Sequence, residues 1–163
     1  MLIGILSDTH NQRRRTESAV RLLQDEGAEA LIHCGDLTDP DIVTICSALQ
    51  CYFVLGNNDL CSAELIQAAI EKAQGSINLG WGGEVTLAGK RIGITHGHIP
   101  REYRRLRASN PDYLFTGHTH IPSDRIEGAT RDINPGALHR ASQYTVMIGN
   151  LADDQFRLLR VPE

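Results

Sequence analysis

Three short apolar runs in the first half of the chain have the pattern of buried strands. They cover residues 2–6, 30–33 and 51–55, and each is a nearly continuous series of apolar residues. Short runs of this kind, followed by turn-forming residues, are typical of strands in the interior of a sheet.

Helical patterns separate these strands. A helix is predicted over Thr16–Glu26, with Gly27 as its end. A second helix begins after Asp39-Pro40, because Asp is a good N-cap and Pro is accepted at the first helical position. A third is capped by Ser62 and ends before Gly75. The resulting order β-α-β-α-β-α, with short loops, predicts a parallel sheet.

The second half of the chain has a different pattern, in which most strands follow one another directly. Residues 84–87 and 91–95 predict a hairpin, 102–108 a short basic helix and 113–116 a strand. Further strand candidates cover residues 124–127, 131–133, 144–151 and 155–161, with a turn at Asn134-Pro135-Gly136. We therefore expect a mostly antiparallel half, whose sheet packs face to face against the first with helices outside. Both sheets would belong to one domain, residues 1–163.

Composition and charge narrow the class of protein. The 163 residues are 41% hydrophobic and 22% charged, which is typical of a soluble globular protein. The net charge of -4 argues against a surface for general nucleic-acid binding. Because we find no membrane-spanning stretch and no signal peptide, we expect a cytoplasmic protein. Its four cysteines would then be reduced thiols.

Polar side chains with metal-binding chemistry follow five of the predicted strands. They are Asp8, His10, Asp36, Asn57, His96, His118 and His120. Because strand ends converge at one edge of an open α/β sheet, we expect these side chains to meet. All are nitrogen or oxygen donors, which favours Mn, Fe, Zn or Ni over a structural cysteine-type zinc site.

The number of candidate ligands predicts two ions. One catalytic ion typically has three protein ligands, whereas two ions that share a carboxylate would use the whole set. Two divalent ions, two carboxylates and a bridging hydroxide leave a net charge of about +1, which attracts an anion such as phosphate. A pair of ions about 3.5–4 Å apart activates water and holds the attacking and leaving oxygens of an in-line displacement. The chemistry that these residues predict is phosphoester hydrolysis.

The same residues form an ordered set of motifs. In chain order they are Asp8-Thr9-His10, Gly35-Asp36, Gly56-Asn57-Asn58-Asp59, His96 and Gly117-His118-Thr119-His120. This set resembles the D-x-H, G-D, G-N-x-D/E, H and G-H-x-H motifs of the calcineurin-like metallophosphoesterases. Asn134-Pro135-Gly136 also resembles the N-P-G turn of the small prokaryotic phosphodiesterase branch of that family.

The resemblance implies a fold, a ligand assignment and a reaction. The fold is a metallo-dependent phosphatase-like α/β fold, a four-layer α/β/β/α sandwich of two mixed sheets flanked by helices. One ion would be bound by Asp8, His10, Asp36 and His120, and the other by Asp36, Asn57, His96 and His118, with Asp36 bridging. The reaction is phosphodiester hydrolysis by a metal-bridging hydroxide, with manganese expected before nickel, zinc or iron.

One position differs from many members of the family. They have His after the motif's Asn, where it is thought to protonate the leaving group, whereas this chain has Asn58. An amide cannot act as a general acid, a role that typically contributes a factor of about 10²–10⁴. We therefore expect a preference for activated or aryl esters. His98 could donate the proton, contact substrate phosphate or orient His96, and Asp59 is expected to orient a ligand imidazole.

Other polar residues have simpler interpretations. Asn57 could cap its turn instead of binding metal, because Asn accepts the left-handed region. His33 fits a buried histidine within a strand, and Arg13-Arg14-Arg15 fits a solvated charge run near a helix start. Asn11 follows the D-x-H motif and could reach a substrate oxygen, whereas no spacing assigns a role to His139.

Other functions are compatible with the same fold. They are a phosphomonoesterase, a nuclease, and a non-catalytic interaction module like some eukaryotic trafficking scaffolds. Such modules tend to lose histidine ligands, which this chain retains, and the acidic balance disfavours a nuclease. We expect a small-molecule phosphoester as substrate and no membrane partner, and exposed β-edges would be compatible with a homodimer.

Overall fold

The computed structural model describes residues 1–162, which form two mixed β-sheets and four α-helices. The helices are α1 (Arg13–Asp25), α2 (Pro40–Cys46), α3 (Ala63–Lys72) and α4 (Pro100–Ala108). The first sheet contains β1 (Leu2–Leu6), β2 (Ala30–His33), β3 (Gln50–Phe53), β4 (Ile77–Asn78), β10 (Thr145–Asn150) and β11 (Gln155–Arg160). The second contains β5 (Gly82–Leu87), β6 (Lys90–Thr95), β7 (Tyr113–Phe115), β8 (Ser123–Glu127) and β9 (Thr130–Asn134). Within these residues, no helix has the length and apolar character needed to cross a membrane.

The first sheet combines the two halves of the chain. Its strand order is β11-β10-β1-β2-β3-β4. The strands β1 to β4 are parallel, as the alternation of strands and helices predicts. The strand β10 pairs antiparallel with β1, with Ile5 opposite Met147, and β11 pairs antiparallel with β10. The second half therefore does not lie entirely in the second sheet, because its last two strands complete the first one.

The second sheet has the order β5-β6-β7-β9-β8. Its two ends are antiparallel hairpins, formed by β5 with β6 and by β8 with β9. Its centre is parallel, because β7 runs in the same direction as both of its neighbours, β6 and β9. The pairs of β5 with β6, β8 with β9 and β10 with β11 agree with the expectation of a mostly antiparallel second half, and this parallel centre is the exception to it. The helix α4 forms the crossover that a parallel pair such as β6 and β7 requires.

Two apolar cores hold the layers together. One lies between the sheets and includes Ile5 and Ile32 of the first sheet and Phe115 of the second. The other lies between the first sheet and α1–α3 and includes Leu23. The helix α4 covers the outer face of the second sheet, where Leu106 is fully buried beside Gly93. This arrangement confirms the expected four-layer α/β/β/α sandwich.

Several boundaries differ from the predicted ones. The helix α1 begins at Arg13 instead of Thr16, so the three arginines form its first turn. The side chain of Ser62 does not cap α3, because a 3₁₀ turn precedes that helix. On α3, Ile66 is buried whereas Leu65 is 63% exposed. The two-residue strand β4 was not predicted.

Candidate metal centre

The loops after five strands meet at one edge of the two packed sheets. These loops follow β1, β2, β3, β6 and β7. Five of the predicted ligands line one open cleft of about 400 Å³: His10, Asp36, Asn57, His118 and His120. The other two, Asp8 and His96, belong to groups of possible metal ligands at its floor. The structure therefore brings together the side chains whose convergence the strand ends predict.

Asp8 is completely buried at the bottom of this cluster. Its Oδ1 atom lies 3.1 Å from Nε2 of His120. The same oxygen lies 3.9 Å from Nε2 of His10 and 3.9 Å from Nε2 of His96. The other oxygen, Oδ2, accepts a hydrogen bond of 2.6 Å from the Ser7 hydroxyl. One oxygen thus fixes the side chain while the other faces three imidazoles.

Asp36 faces the same space from the end of β2. Its Oδ2 atom lies 3.3 Å from Nε2 of His10 and 3.4 Å from Nε2 of His96. The backbone and side-chain nitrogens of Asn58 donate hydrogen bonds to its two oxygens, at 2.8 and 2.7 Å. Burial alone would raise the pKa of Asp36, but the imidazoles of His10 and His96 lower it well below its usual range. The carboxylate is therefore charged.

Three ligand atoms of the cluster are buried and form no hydrogen bond within residues 1–162: Asp8 Oδ1, His10 Nε2 and His96 Nε2. A buried polar atom without a partner costs about 1–3 kcal/mol, so such atoms normally have a further partner. Two groups of ligand atoms, each within 4.8 Å of one another, are formed by Asp8, His10 and His120 and by Asp8, Asp36 and His96. Divalent cations would satisfy these atoms and compensate the two carboxylates, so the residues fit neighbouring cation sites.

Two of the imidazoles are oriented by backbone carbonyl groups. Nδ1 of His96 donates to the carbonyl oxygen of Cys34 at 2.7 Å, and Nδ1 of His120 donates to that of Arg140 at 3.3 Å. In a neutral imidazole, such a hydrogen bond leaves Nε2 as the unprotonated, electron-donating nitrogen that a metal ion requires. The carbonyl groups therefore fix both the ring orientation and the tautomer that favour metal binding.

An unusual backbone conformation recurs among the candidate ligands. Five of them have positive φ angles: Asp8 (53°), His10 (40°), Asp36 (58°), His118 (68°) and His120 (59°). Residues other than glycine rarely adopt this left-handed region, and they remain there only where the surrounding structure enforces it. The concentration of strained residues at these strand ends is typical of a functional site.

Asp59 enforces the conformation around Asp36. Its completely buried carboxylate accepts hydrogen bonds from the backbone nitrogens of Asp36, Thr38 and Gly56, at 2.9, 2.7 and 2.7 Å. Burial raises the pKa of Asp59, although the three amides oppose this shift. The structure corrects the expectation that Asp59 orients an imidazole, because its hydrogen bonds hold backbone instead. Only glycine is compatible with position 56, since a Cβ atom there would collide with the Asp36 carboxylate.

Asn57 and His118 lie in the outer part of the cleft. The side chain that hydrogen-bonds to Asp36 is that of Asn58, although both Asn57 and Asn58 are exposed. The ring centroid of His118 lies 5.1 Å from that of His96. Within residues 1–162, neither the Asn57 nor the His118 side chain has a hydrogen bond or ion pair with a candidate carboxylate ligand.

His98 lies beside His96, with ring centroids 5.3 Å apart. Because the carbonyl group of Cys34 orients His96 by a hydrogen bond, His98 does not serve that purpose. Its Nδ1 atom is buried and has no hydrogen-bond partner in the described part of the chain. Burial lowers the pKa of His98, and the nearby charges of His96 and His118 lower it further. Proton donation to the leaving group and contact with substrate phosphate remain as its expected roles.

Two arginines at the start of α1 form ion pairs or hydrogen bonds within the protein, which a solvated run of charges would not do. Arg13 forms an ion pair with Asp39 at 3.3 Å. Arg15 donates a hydrogen bond of 2.6 Å to the carbonyl oxygen of Leu138. Asn11 accepts a hydrogen bond from Arg13 and lines, with these arginines, a separate cleft of about 750 Å³. The structure therefore places Asn11 outside the metal cleft.

The sequence did not reveal the hydrogen bonds that join neighbouring loops. His33 is completely buried, and burial lowers its pKa to about 3, so that it is neutral. Its Nδ1 atom accepts a hydrogen bond from the Gly35 nitrogen at 3.2 Å, and its Nε2 atom donates to the Thr9 hydroxyl at 3.1 Å. That hydroxyl donates in turn to the carbonyl oxygen of Asp36 at 3.3 Å. His33 thus connects the loops after β1 and β2.

The turn that begins at Asn134 holds the loop after β7 in place by hydrogen bonds. The Asn134 side chain donates to the carbonyl oxygen of Gly117 at 2.7 Å and accepts from the Gly136 nitrogen at 2.9 Å. The following residues, His139 and Arg140, also line the metal cleft. No motif spacing pointed to these two residues, because they reach the cleft only through the path of this turn.

Comparisons with known proteins agree with this geometry. Residues 1–154 match the model of the calcineurin-like phosphoesterase superfamily domain. The chain is 30% identical to a probable metallophosphoesterase of Methanothermobacter thermautotrophicus, over 91% of this chain and 84% of the relative. It is 29% identical to a phosphodiesterase of Methanocaldococcus jannaschii, over 83% of each chain. The solved structure of an archaeal phosphodiesterase superposes with a TM-score of 0.87 and 26% identity, covering 98% of this chain and 99% of the other. The chain therefore belongs to the calcineurin-like phosphoesterase superfamily and is a metal-dependent phosphoesterase.

Proposed function

We propose that this protein hydrolyses phosphodiesters with the help of two divalent ions, of which manganese is the preferred one. The proposed metal ligands are Asp8, His10, Asp36, Asn57, His96, His118 and His120. The observation that carries the proposal is the convergence of buried ligand atoms without hydrogen-bond partners, on Asp8, His10 and His96, at the floor of an open cleft. The similarity to archaeal relatives named as phosphodiesterases supports diesters as the substrate class.

The chain's own residues prepare the site for this reaction. When bound, divalent ions polarise phosphate oxygens and lower the pKa of water to near neutrality. Asp8 and Asp36 supply the negative charge that retains such ions at the floor of the cleft. The carbonyl groups of Cys34 and Arg140 hold His96 and His120 in place, so little reorganisation is needed. The open side of the cleft leaves room for a phosphate group to enter.

Proton donation to the leaving group limits the substrate range. Asn58 occupies the position expected for a general acid, and its amide hydrogen-bonds to Asp36 instead of carrying a transferable proton. Esters with acidic leaving groups need no such donor. We infer that aryl and other activated phosphodiesters are hydrolysed faster than alkyl ones.

Hydrolysis of bis(p-nitrophenyl) phosphate tests this function. The protein should be assayed with Mn²⁺, Ni²⁺, Zn²⁺ and Mg²⁺, and p-nitrophenyl phosphate should be run in parallel as the monoester. We expect faster hydrolysis of the diester, highest with Mn²⁺. Asp36→Asn should lower kcat/KM by about a thousandfold, because a bound ion contributes several kcal/mol to such a reaction. Asp25→Asn, an exposed position on α1, is the matched control.

The possible results separate the competing functions. Faster hydrolysis of the monoester would indicate a phosphomonoesterase. Absence of hydrolysis with every metal would support a non-catalytic module and contradict the proposal. Salt-dependent binding of DNA would indicate a nuclease, because phosphate contacts release counterions.

The same proposal includes the remaining properties inferred from the sequence. We propose a single domain over residues 1–163, a cytoplasmic location and no general nucleic-acid binding. Exposed apolar side chains, such as those of Ile126 and Leu158 on the edge strands of the two sheets, are compatible with a homodimer. Sedimentation equilibrium at several protein concentrations would test that state.

A further inference from the structure

Arg140 is the only arginine or lysine among the described residues that line the metal cleft. Its side chain is exposed, and it forms no ion pair or hydrogen bond within residues 1–162. Other arginines near the site are engaged, since Arg13 pairs with Asp39 and Arg15 is bonded to the carbonyl oxygen of Leu138. A permanently charged guanidinium group is therefore available at the cleft for a ligand.

The loop that carries Arg140 is fixed from below. The nitrogen of Leu138 donates hydrogen bonds to the carbonyl oxygens of Ser7 and Asp8, at 3.3 and 3.2 Å. Leu138 is completely buried, and its carbonyl oxygen accepts the 2.6 Å hydrogen bond from Arg15. The Arg15 guanidinium group also stacks 3.4 Å from the ring centroid of Tyr144. These contacts attach the loop directly to the strand end that carries Asp8.

The loop is also fixed from the side of the cleft. The ring of His139 lies 4.8 Å from the ring of His10. The carbonyl oxygen of Arg140 accepts the hydrogen bond from Nδ1 of His120. Arg140 has a φ angle of 46°, a strained conformation that non-glycine residues keep only where the surroundings impose it. The backbone is thus held in place, while the guanidinium group alone has no partner.

The position of Arg140 relative to His120 decides which part of a substrate it can reach. Nε2 of His120 faces Asp8 at 3.1 Å, whereas Nδ1, on the opposite edge of the ring, faces the Arg140 backbone. The backbone of Arg140 therefore lies outside the cluster of ligand atoms, on the far side of the imidazole. Arg140 nevertheless lines the same cleft as His10, Asp36 and His120, so it borders the place proposed for the reacting phosphate.

We propose that Arg140 binds a second, non-reacting phosphate group of the substrate. Phosphodiesters that carry an additional phosphate would then be the preferred substrate class. The guanidinium group is suited to this role, because it offers two parallel N–H groups to phosphate oxygens and stays charged at every relevant pH. This inference rests on the proposed function, since the reacting phosphate is assigned to the candidate metal ligands.

Binding of two nucleotides that differ by one phosphate tests the inference. Adenosine 5′-monophosphate and adenosine 3′,5′-bisphosphate would be titrated calorimetrically into manganese-loaded protein. The wild type should bind the bisphosphate about tenfold more tightly than the monophosphate, as expected for one charge-assisted contact at a solvent-exposed site. Arg140→Ala should reduce that ratio to about one, and Arg140→Lys should keep part of it. The preference should also weaken as the salt concentration rises.

The control is Arg104→Ala, because Arg104 is exposed on α4 and has no ion pair within residues 1–162. This variant should keep the full preference for the bisphosphate. Manganese content is measured for each variant, so that an effect on metal loading is recognised. Since the side chain of Arg140 has no hydrogen bond or ion pair within residues 1–162, its replacement should leave thermal unfolding unchanged. Arg140→Gln removes the charge but keeps most of the side-chain volume, and it should also reduce the ratio to about one.

The outcomes distinguish this inference from the proposed function. An unchanged nucleotide ratio in Arg140→Ala, together with hydrolysis of bis(p-nitrophenyl) phosphate, would overturn the role of Arg140 and leave the function intact. An equal loss of affinity for both nucleotides would assign Arg140 to the reacting phosphate and also overturn it. A ratio that depends on Arg140 in a protein without hydrolytic activity would uphold the phosphate site and contradict the proposed function.

Discussion

The floor and the rim of the metal cleft are built in different ways. The floor consists of Asp8, His33, Asp59 and His96, all of which are completely buried. Their side chains hydrogen-bond to backbone groups or to hydroxyl groups of neighbouring loops. The rim consists of Asn57, Asn58, His118, His120 and Arg140, which line the open cleft. We therefore expect the floor to contribute to both folding and metal binding, and the rim to contribute mainly to metal and substrate binding.

This difference predicts that substitutions at the floor affect stability and substitutions at the rim affect function. The largest effect is expected for Asp59→Ala. Removal of the carboxylate leaves the backbone nitrogens of Asp36 and Gly56, in buried hydrogen bonds, and of Thr38, in a partly buried one, without an acceptor, at about 1–3 kcal/mol for each buried group. The free energy of unfolding should therefore fall by about 3 kcal/mol or more in urea denaturation. Asp59→Asn, which keeps one oxygen acceptor, should lose less.

A change of less than 1 kcal/mol for Asp59→Ala would contradict the assigned role of this carboxylate. The denaturation should be done in the presence of a chelator. Without the chelator, a loss of metal binding would add to the loss of the hydrogen bonds.

The second prediction concerns a candidate metal ligand at the rim, His120. Its side chain is 23% exposed, so His120→Ala should change the free energy of unfolding of the metal-free protein by less than about 1 kcal/mol. The affinity for Mn²⁺ should nevertheless fall at least tenfold, because one imidazole ligand is lost. Calorimetric titration of Mn²⁺ measures the affinity. If the variant binds Mn²⁺ like the wild type, His120 is not a ligand.

The third prediction is a pH dependence that comes from the floor. His33 is neutral in the folded protein because burial lowers its pKa from 6.5 to about 3. The unfolded chain binds one more proton between these values, so this contribution to stability is complete above pH 6.5 and is lost as the pH falls towards 3. The expected slope is about 1.4 kcal/mol per pH unit. His33→Gln should remove it.

Urea denaturation of both proteins between pH 7 and pH 4, with chelator present, measures this slope. The two stability curves should converge as the pH falls. Parallel curves would show that His33 does not titrate with a lowered pKa.

The smallest predicted effect is an improvement. Asn58→His introduces a side chain that can donate a proton to the leaving group. The turnover of an alkyl phosphodiester should rise by about tenfold, whereas that of bis(p-nitrophenyl) phosphate should change little. The manganese content must be measured in parallel, because Asn58 also hydrogen-bonds to Asp36. No gain with the alkyl ester at unchanged manganese content would contradict the explanation given for position 58.

The sequence predicted those features that depend on local patterns. The strand β1 and its D-x-H loop were recognisable because apolar runs and strand-end residues are adjacent in the chain. The Asp39 cap of α2 was predicted from two neighbouring residues, and its side chain accepts the expected hydrogen bond from the Asp41 nitrogen at 2.8 Å. The resemblance to the family motifs then divided the candidate ligands between two metal ions, which the local patterns alone did not do.

Features that depend on contacts distant in sequence were not predicted. The antiparallel addition of β10 to β1 joins residues more than 140 positions apart, such as Ile5 and Met147, and no local pattern encodes it. The same applies to Asp59, whose three hydrogen-bond donors become neighbours only in the folded chain. His139 and Arg140 reach the cleft because Leu138 is bonded to the end of β1. The single domain expected over residues 1–163 stays a prediction.

The number of manganese ions bound per chain decides whether the clustered side chains form the proposed site. It can be measured by equilibrium dialysis followed by elemental analysis. We predict two ions per chain for the wild type, a clear loss for Asp36→Asn, and two ions again for Asp25→Asn. A wild-type protein that is folded but binds no ion, or an Asp36→Asn variant that still binds two, would contradict the proposed metal centre and the hydrolysis assigned to it.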